Sequence, residues 1–543
     1  MKQSRVSRRQ FLTTTGLIAA GSLLGNLPLS SSPSKRPNIL CITCEDISPM
    51  LGCYGDRVAR TPNIDRLASE GVKFTHVFSC SGVCAPSRFA LITGMYPSAC
   101  GADNMRTTSF LPDGVPPYEA VPPAQVKCYS EYLRANGYYC TNNEKTDYQF
   151  KVPITAWDEC SNRAHWRHRP KGMPFFSIFN LMTTHESQVW ERANDPVTIR
   201  PEDVLVPPYY PDTPVIRRDI ARVYNNITIM DREVGELIDE VKRAGLLEET
   251  IIIFYSDNGG PLPRGKREIY NSGLHVPMII RFPNKQHAGT VVDDLISFVD
   301  IPPTILSLAG IEPPQHLHGR AFWGEFKSQS REYIFAARDR MDSEYDVRRA
   351  VRDRRFKYIR NYRPDIGCYQ NIEFQKKLAS MRELLRLRDE GKLNHQQMYW
   401  FRKTKSPEEL YDLTIDPYEL NNLADDPAYR EDLIRLRRVL DEWLEEVGDQ
   451  PLRSEKELVW SMWPGGVQPV TEPPKIFRRA DSISLTCDTP GASIAYQING
   501  KGYTNDHWFL YSRPFEAKRG DEVQATAIRI GYRQSEIVVW KND

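Results

Sequence analysis

The segment CAPSR, residues 84–88, places a cysteine two residues before a proline and four before an arginine. If Pro86 starts a helix, Cys84 lies at the N-terminus of that helix, where free backbone N–H groups and the helix dipole favour negative charge. A cysteine in such a position would be activated as a thiolate. These residues therefore indicate either a cysteine nucleophile or a modified cysteine.

Two further clusters offer oxygen ligands to a hard cation. Glu45 and Asp46 follow one apolar run, and Asp257 and Asn258 follow another. Carboxylate and amide oxygens suit Ca²⁺, or alternatively Mg²⁺, better than zinc or copper. An isolated acidic pair is more often a helix cap or a surface turn, so the prediction of a cation site depends on the clusters meeting in the fold.

Basic side chains suited to an anion are spread along the same part of the chain: Arg88, Lys145, His185, Lys266 and His275. An oxyanion that bridges to a divalent cation and has lysine and arginine on its other oxygens is the general arrangement for phosphoryl or sulfuryl transfer. The simpler alternatives are that Lys266 is a solvated loop charge and that His275 is structural.

The elements that must position these residues are buried strands alternating with helices. NILCIT, PFFSIFNLM, ETIIIFYS and VPMIIRF read as strands. The predicted helices are TPNIDRLASEGVKF with Thr61 as N-cap, YSEYLRANGY, DIARVYNNITIMDREVGELIDEVKRAGL and DIPPTILSLAG. This alternation predicts an α/β fold with a parallel or mixed sheet covered on both faces. Ligands bind at the carboxyl ends of strands in such folds, and Glu45-Asp46, His185 and Asp257-Asn258 all follow strands.

The pattern changes near residue 330. REYIFAARDR and RRAVRDRRFKYIRNY read as strands of a smaller antiparallel sheet, and a helical, charged stretch follows them. Short alternating strands at the C-terminus predict a small β-sandwich. The predicted organisation is a signal peptide and linker at 1–35, an α/β domain at 36–330, an α+β subdomain at 331–448, a linker at 449–470 and the sandwich at 471–543.

Composition and the N-terminus limit the location and the partners. A net charge of +1 over 543 residues favours neither nucleic acid nor a membrane surface. The first 25 residues are a basic segment followed by a short apolar one, and SRRQFL resembles a twin-arginine export signal. An ordinary secretory signal is the alternative. We therefore expect an exported, periplasmic protein without stable membrane insertion.

Cys84-Ala85-Pro86-Ser87-Arg88, followed by Thr93-Gly94, resembles the signature of the type I sulfatases. Segments over roughly residues 36–445 support the resemblance: RPNIL before the acidic pair, GCYGD with TPNIDRLASEGVKF, YSDNGG, GKREIYNSGLHVP and ELYDLTIDPYELNNLA. The resemblance implies an alkaline-phosphatase-like fold. It also implies that a sulfatase-maturating enzyme converts Cys84 to formylglycine.

The family mechanism then assigns roles in this numbering. The cation would be held by Glu45, Asp46, Asp257 and Asn258, with residue 84 as a further ligand. Hydrated formylglycine would attack sulfur, and expulsion of sulfate would restore the aldehyde. Arg88 would contact the modified residue, Lys145 would stabilise its hydrate, His185 would protonate the leaving group and Lys266 would hold sulfate oxygens.

Two positions depart from the family pattern. Glu45 stands where the first paired acid is usually aspartate, so the ligand is one methylene longer. NNEKTDY replaces the common Gly-Lys-x-His pattern, so Asp147 stands where a histidine would assist deprotonation. Asp147 could serve as the base or contact the substrate.

The substrate is expected to be a sulfated oligo- or polysaccharide. The segment PEDVLVPPYYPDTPVIRRDIARVYNNITIMD is similar to the heparan N-sulfatases, whereas EDISPMLGCYGD resembles sulfatases that degrade ulvan-type marine polysaccharides. The C-terminal sandwich resembles modules of chitobiases. His165, His168 and Arg349 are further candidates for substrate contacts. The rival hypotheses are a phosphate or phosphonate ester hydrolase and an inactive glycan-binding protein.

Overall fold

The computed structural model describes residues 36–479 and 482–542. The predicted signal peptide lies outside the described residues. None of the helices in these ranges combines the length and the hydropathy that a membrane span requires. The eleven cysteines all lie in the described ranges, where they form no disulfide bonds.

The central sheet is mixed, as predicted. Its strands are β1 (Asn38–Cys44), β2 (Val72–Phe78), β3 (Tyr139–Asn143), β4 (Glu159–Cys160), β5 (Phe175–Leu181), β6 (Thr250–Ser256), β7 (His275–Arg281), β8 (Thr290–Val292) and β9 (Ile296–Ser297). They lie in the order β4-β3-β5-β1-β6-β7-β2-β8, with β9 beside β2. The pairs β2–β7 and β6–β7 are antiparallel and the other pairs are parallel.

The register of the central strands brings their carboxyl ends together. Cys44, the last residue of β1, is paired with Leu181 of β5 on one side and with Ser256 of β6 on the other. Strands β1 and β6 are buried along their whole length, as expected for strands covered on both faces. Residues that directly follow β1, β5 and β6 therefore share one edge of the sheet.

Helices cover both faces of this sheet and continue into the C-terminal half. Their bounds are α1 (Pro62–Ser69), α2 (Cys84–Thr93), α3 (Tyr129–Ala135), α4 (Gln188–Glu191), α5 (Pro214–Arg243), α6 (Asn271–Leu274), α7 (Ile301–Leu308), α8 (Ala379–Asp389), α9 (His395–Met398), α10 (Arg430–Val447) and α11 (Glu455–Met462). Helix α5 begins where the Thr213 hydroxyl accepts a hydrogen bond from Ile216 N. It ends before Gly245, which has a φ of +71°.

The helix predicted from Thr61 is shorter than expected. It ends at Ser69, and Val72–Phe78 belongs to the sheet. Gly71 lies so close to β7 that a Cβ atom there would be 2.5 Å from the carbonyl oxygen of Ile280. Thr61 does not cap the helix with its side chain. Its hydroxyl instead accepts a hydrogen bond from Gly52 N at 3.0 Å.

Beyond the central sheet lie smaller antiparallel sheets. One sheet, in the order β10-β11-β12-β13, consists of β10 (Ile334–Arg338), β11 (Arg348–Arg352), β12 (Phe356–Asn361) and β13 (Glu408–Asp412). The C-terminal sandwich consists of β14 (Lys475–Arg479), β15 (Ser482–Thr486), β16 (Ser493–Ile498), β17 (Phe509–Leu510), β18 (Phe515–Glu516), β19 (Glu522–Ile528) and β20 (Val538–Lys541). Its two sheets have the orders β14-β15-β18 and β17-β16-β19-β20.

Candidate active site

Three elements meet at the carboxyl edge of the central sheet. Glu45 and Asp46 follow β1, Asp257 and Asn258 follow β6, and Cys84 is the first residue of α2. The backbone turns sharply at Asp46, whose φ is +51°. Carboxylate oxygens of Glu45, Asp46 and Asp257 lie within 4.8 Å of one another, and all three residues are buried. The structure therefore brings together the predicted oxygen ligands.

Arg88 and Lys145 neutralise one side of this cluster. Arg88 donates hydrogen bonds to Glu45 and, from Nε, to Asp257 Oδ2 at 2.9 Å. Lys145 Nζ lies 2.7 Å from Glu45 Oε2, so the two oxygens of Glu45 face different cations. Ser87 donates a hydrogen bond to the carbonyl of Asp257, which ties the start of α2 to the end of β6.

Lys266 neutralises the other side. Its Nζ is 2.5 Å from Asp46 Oδ2, and Asn258 Nδ2 donates to Asp46 Oδ1 at 2.8 Å. Lys266 is buried, so it is not the solvated loop charge that the sequence left open. The Oδ1 atom of Asn258 is buried and has no hydrogen-bond partner among the described residues. A buried acceptor beside three carboxylates fits the oxygen-donor set of a hard cation.

The carboxylates differ in how their surroundings change their acidity. Burial alone would raise the pKa of Glu45, but Lys145 and Arg88 outweigh burial and hold the pKa well below its usual value. The pKa of Asp46 is also lowered, because the charge of Lys266 outweighs the effect of burial. Burial and the charge of Glu45 raise the pKa of Asp257 to about 8, despite Arg88. Of the three clustered carboxylates, Asp257 is thus the one whose surroundings most oppose ionisation.

Cys84 begins a helix as predicted, but its thiol is not activated. The residue is only 2% exposed, and burial raises the pKa of its thiol to about 11, although Lys145 and Lys266 act to lower it. Burial therefore opposes the thiolate that the helix N-terminus and the two lysines would favour, and the choice between a cysteine nucleophile and a modified cysteine stays a prediction. An unmodified Cys84 would be a neutral thiol near pH 7.

His185 and Asp147 both lie near the charged groups of this cluster. His185 Nδ1 is 3.1 Å from Ser187 Oγ, and burial followed by the charge of Lys266 lowers the pKa of its imidazole. Asp147 Oδ2 is 3.5 Å from Lys145 Nζ. Burial would raise the pKa of Asp147, but Lys145 and neighbouring arginines lower it overall.

Other residues proposed as substrate contacts are held in structural pairs. His275 Nε2 is 2.8 Å from the carbonyl oxygen of Thr75, and burial lowers the pKa of its imidazole to about 3. His165 Nε2 is 3.1 Å from Glu240 Oε2. His168 Nδ1 lies 2.8 Å from Glu159 Oε2.

Arg349 is the clearest correction among the proposed substrate contacts. It is 1% exposed and pairs with Asp449 at 2.6 Å and with Asp339 at 2.6 Å. Strand β11 carries it into the interior, because these acids supply the charge that a buried guanidinium requires. It is therefore not available to a substrate at the surface.

The structure adds residues that the sequence analysis did not include. Asn180, near the end of β5, accepts a hydrogen bond from Arg88 Nη1 at 2.7 Å. Glu186 N donates to Asp46 Oδ2 at 2.7 Å, and the Glu186 carboxylate forms a bidentate pair with Arg267 at 2.8 and 2.9 Å. Asn180 could have been found from its strand-end position, and Glu186 from its place beside His185.

Comparison with known proteins agrees with this geometry. The model of the family described as Sulfatase matches residues 37–311. An ulvan-active sulfatase of Formosa agariphila is 48% identical, over 93% of this chain and 91% of the relative. The chain belongs to the sulfatase family. A second model, N-sulphoglucosamine sulphohydrolase, C-terminal, matches residues 264–399 of this sulfatase.

Two further comparisons are more distant. Human N-sulphoglucosamine sulphohydrolase is 27% identical to this sulfatase, over 78% of this chain and 93% of the human protein. A solved structure of a protein in complex with its substrate D-glucosamine-2-N,6-O-disulfate has a TM-score of 0.56 at 17% identity, and covers 77% of this chain and 99% of that one. The predicted alkaline-phosphatase-like sulfatase fold is thus confirmed. Sulfatases generally use a formylglycine and a divalent cation.

Proposed function

We propose that this sulfatase hydrolyses sulfate esters of a sulfated polysaccharide or its oligosaccharides, with Cys84 converted to formylglycine. The observation that carries the proposal is the position of Cys84, buried at the start of α2 beside Lys145, Lys266 and the carboxylate cluster. A thiol with a pKa of about 11 is a poor nucleophile near pH 7. Formylglycine, once hydrated, supplies a hydroxyl nucleophile that does not depend on ionising the thiol.

The cation site is proposed to consist of Glu45, Asp46, Asp257 and Asn258, with residue 84 as a further ligand. The unpartnered Asn258 Oδ1 and the clustered carboxylates favour Ca²⁺, with Mg²⁺ as the alternative. A divalent cation there would polarise the sulfate group and stabilise negative charge as it develops.

The remaining roles follow from charge and position. Lys266 is buried and cationic, which suits it to hold sulfate oxygens. His185, on the loop after β5, is proposed to donate a proton to the leaving oxygen. Lys145 and Arg88 would hold the nucleophilic residue and Glu45 in place. Asp147 is proposed either to accept a proton from the hydrated residue 84, the role that the usual histidine would have, or to contact the substrate.

The glycan class is supported by the relatives. The similarity to an ulvan-active sulfatase along nearly the whole chain favours a sulfated polysaccharide of the ulvan type. An N-sulfoglucosamine substrate is the second candidate, because the C-terminal family model and the human relative are those of N-sulphoglucosamine sulphohydrolases.

Export and domain organisation complete the proposal. The sequence SRRQFL favours twin-arginine export to the periplasm, after a sulfatase-maturating enzyme has modified Cys84. The proposed domain boundaries near residues 330, 448 and 470 fall between the sheets described above.

Sulfate release from defined probes tests the function. We expect the protein from a host that matures sulfatases to release sulfate from ulvan oligosaccharides, and from N-sulfoglucosamine only if the second candidate is correct. The Cys84→Ala variant is the matched control and should release none. Hydrolysis of 4-nitrophenyl phosphate in preference to 4-nitrophenyl sulfate would support a phosphate ester hydrolase instead. Oligosaccharide binding without release of sulfate would support a glycan-binding protein.

A further inference from the structure

The loop that precedes Arg106 belongs to the packing around the start of α2. Met105 packs in a buried cluster with Cys84, and Met341 and Ile372 from the C-terminal half belong to the same cluster. Arg106 is the next residue in the chain and is exposed. Its side chain therefore starts from a backbone position directly beside the packing around Cys84.

Buried hydrogen bonds fix the backbone of this loop. Arg340 Nη1 donates to the carbonyl of Met105, and Nη2 donates to the carbonyl of Arg106, both at 3.1 Å. Arg340 is itself buried and forms a bidentate pair with Glu455 at 2.8 Å. The φ of Arg106 is +70°, a conformation that a non-glycine residue keeps only when its surroundings impose it.

A hydrogen bond joins the loop that precedes Arg106 to the loop that carries Asp147. The side-chain amide of Gln149 donates to the carbonyl of Asn104 at 2.5 Å, which joins the two loops. The charge of Arg106 adds to those of Lys145 and Arg88 in lowering the pKa of Asp147. Asp147 is 3.5 Å from Lys145, so Arg106 acts on the same carboxylate as a lysine of the candidate active site.

Arg106 differs from the other cations around Cys84. Each of the deeper cations has a side chain at most 13% exposed and a carboxylate partner: Arg88, Lys145, Lys266 and Arg267. The Arg106 guanidinium, by contrast, makes no hydrogen bond or ion pair with the part of the chain that the structure describes. A solvent-facing guanidinium on a fixed backbone retains its hydrogen-bond donors for a ligand.

We infer that Arg106 binds a second anionic group of the substrate, on the sugar that carries the scissile sulfate or on the next one. This inference rests on the proposed function. A carboxylate and a sulfate both present paired oxygens that match the planar fork of a guanidinium. The preferred substrate would therefore be a glycan with two neighbouring anionic groups, and Arg106 would distinguish it from a singly sulfated compound.

Kinetics with three probes test the inference: an ulvan oligosaccharide, the same oligosaccharide with its carboxyl groups reduced to alcohols, and 4-nitrophenyl sulfate. Loss of a charged hydrogen bond predicts that Arg106→Gln raises KM for the oligosaccharide about 10- to 100-fold. We expect the rise in KM for the oligosaccharide to exceed the rise in KM for 4-nitrophenyl sulfate by about tenfold or more. Arg106→Lys should recover part of the affinity for the oligosaccharide, because lysine keeps the positive charge but lacks the paired donors of the planar guanidinium. Arg513→Gln, at an exposed arginine of the sandwich, is the matched control.

The carboxyl-reduced probe identifies the anionic group. If the wild type loses its preference for the oligosaccharide over 4-nitrophenyl sulfate when the carboxyl groups are reduced, Arg106 binds a carboxylate. If that preference survives, Arg106 binds a second sulfate. Equal effects of Arg106→Gln on the oligosaccharide and on 4-nitrophenyl sulfate would overturn the inference.

A binding experiment separates this inference from the proposed function. Calorimetric titration of the oligosaccharide into Cys84→Ala protein, with and without Arg106→Gln, requires no turnover. Unchanged affinity would overturn the role of Arg106. Absence of sulfate release from every probe by the wild type would overturn the proposed function, while the titration would still decide the role of Arg106.

Discussion

Asp158 joins the C-terminal sandwich to the α/β domain through buried charges. Its Oδ1 atom accepts hydrogen bonds from Arg134 at 2.9 and 3.1 Å and lies 2.7 Å from Nε2 of His507 in the sandwich. Its Oδ2 atom accepts from Cys140 N at 2.7 Å. Arg134 also donates to the carbonyl of Trp508 at 2.7 Å. We therefore predict that Asp158→Asn weakens the attachment of the sandwich.

The expected magnitude follows from the burial of all three side chains. Asparagine removes the charge that compensates Arg134. It also places an NH₂ group where an oxygen accepts hydrogen bonds. Breaking a buried ion pair by removing one partner costs about 3–5 kcal/mol. The neighbouring Glu159 provides the control, because its pairing with His168 is partly exposed and such pairs contribute about 0–1 kcal/mol.

Acidification of the wild type should weaken the attachment of the sandwich as Asp158→Asn does, because it also removes the charge of Asp158. Burial would raise the pKa of Asp158, but Arg134 and the hydrogen bonds from His507 and Cys140 outweigh burial and lower it. Its stabilising contribution is therefore complete above about pH 4, the pKa of aspartate in an unfolded chain. That contribution is lost as the pH falls through the lowered pKa of the folded protein.

Urea unfolding monitored by tryptophan fluorescence is the assay, combined with limited proteolysis of the 449–470 segment. Asp158→Asn should lower the midpoint of the first transition and speed cleavage, whereas Glu159→Gln should do neither to a comparable extent. The difference in transition midpoint between Asp158→Asn and the wild type should become smaller as the pH is lowered below 4. If the two variants shift the midpoint equally, the reasoning from buried charge is refuted.

Three further predictions concern the candidate active site. Cys84→Ala should abolish sulfate release yet shift the unfolding free energy by only about 1 kcal/mol, since few buried atoms are lost; near-normal activity would contradict the proposed nucleophile. Chelation with EDTA should abolish sulfate release, and added Ca²⁺ should restore it. The far-UV circular dichroism signal should be retained, because Arg88, Lys145 and Lys266 still compensate the buried carboxylates. Unfolding on chelation would show that this compensation is insufficient. Asp147→Asn should lower kcat about 100-fold with KM little changed, as expected on losing a general base; a rise in KM alone would assign Asp147 to substrate binding.

The sequence was sufficient to predict the convergence of the oxygen ligands. Glu45-Asp46 and Asp257-Asn258 follow strands, and parallel neighbours in a buried sheet end at the same edge. The length and order of the apolar runs therefore determine where these groups meet. The start of a helix at Cys84 could likewise be predicted from Pro86.

Burial and distant partners could not be predicted in the same way. Burial, which opposes ionisation of Cys84, comes from a cluster that includes Met105 and Met341, which are distant in the sequence. Arg349 reads as a surface charge on an alternating strand, but its partner Asp449 lies 100 residues away. Sequence spacing reports local geometry, whereas hydration and ion pairing depend on contacts that only the fold creates.

Peptide mass spectrometry of the protein from a host that matures sulfatases tests the central claim most directly. Conversion of Cys84 to formylglycine should make the peptide that contains residues 84–88 about 18 Da lighter than its unmodified form. That mass, together with an aldehyde that reacts with a hydrazine probe, is the result that the proposed function predicts. An unmodified thiol at residue 84 in protein that actively releases sulfate would contradict it.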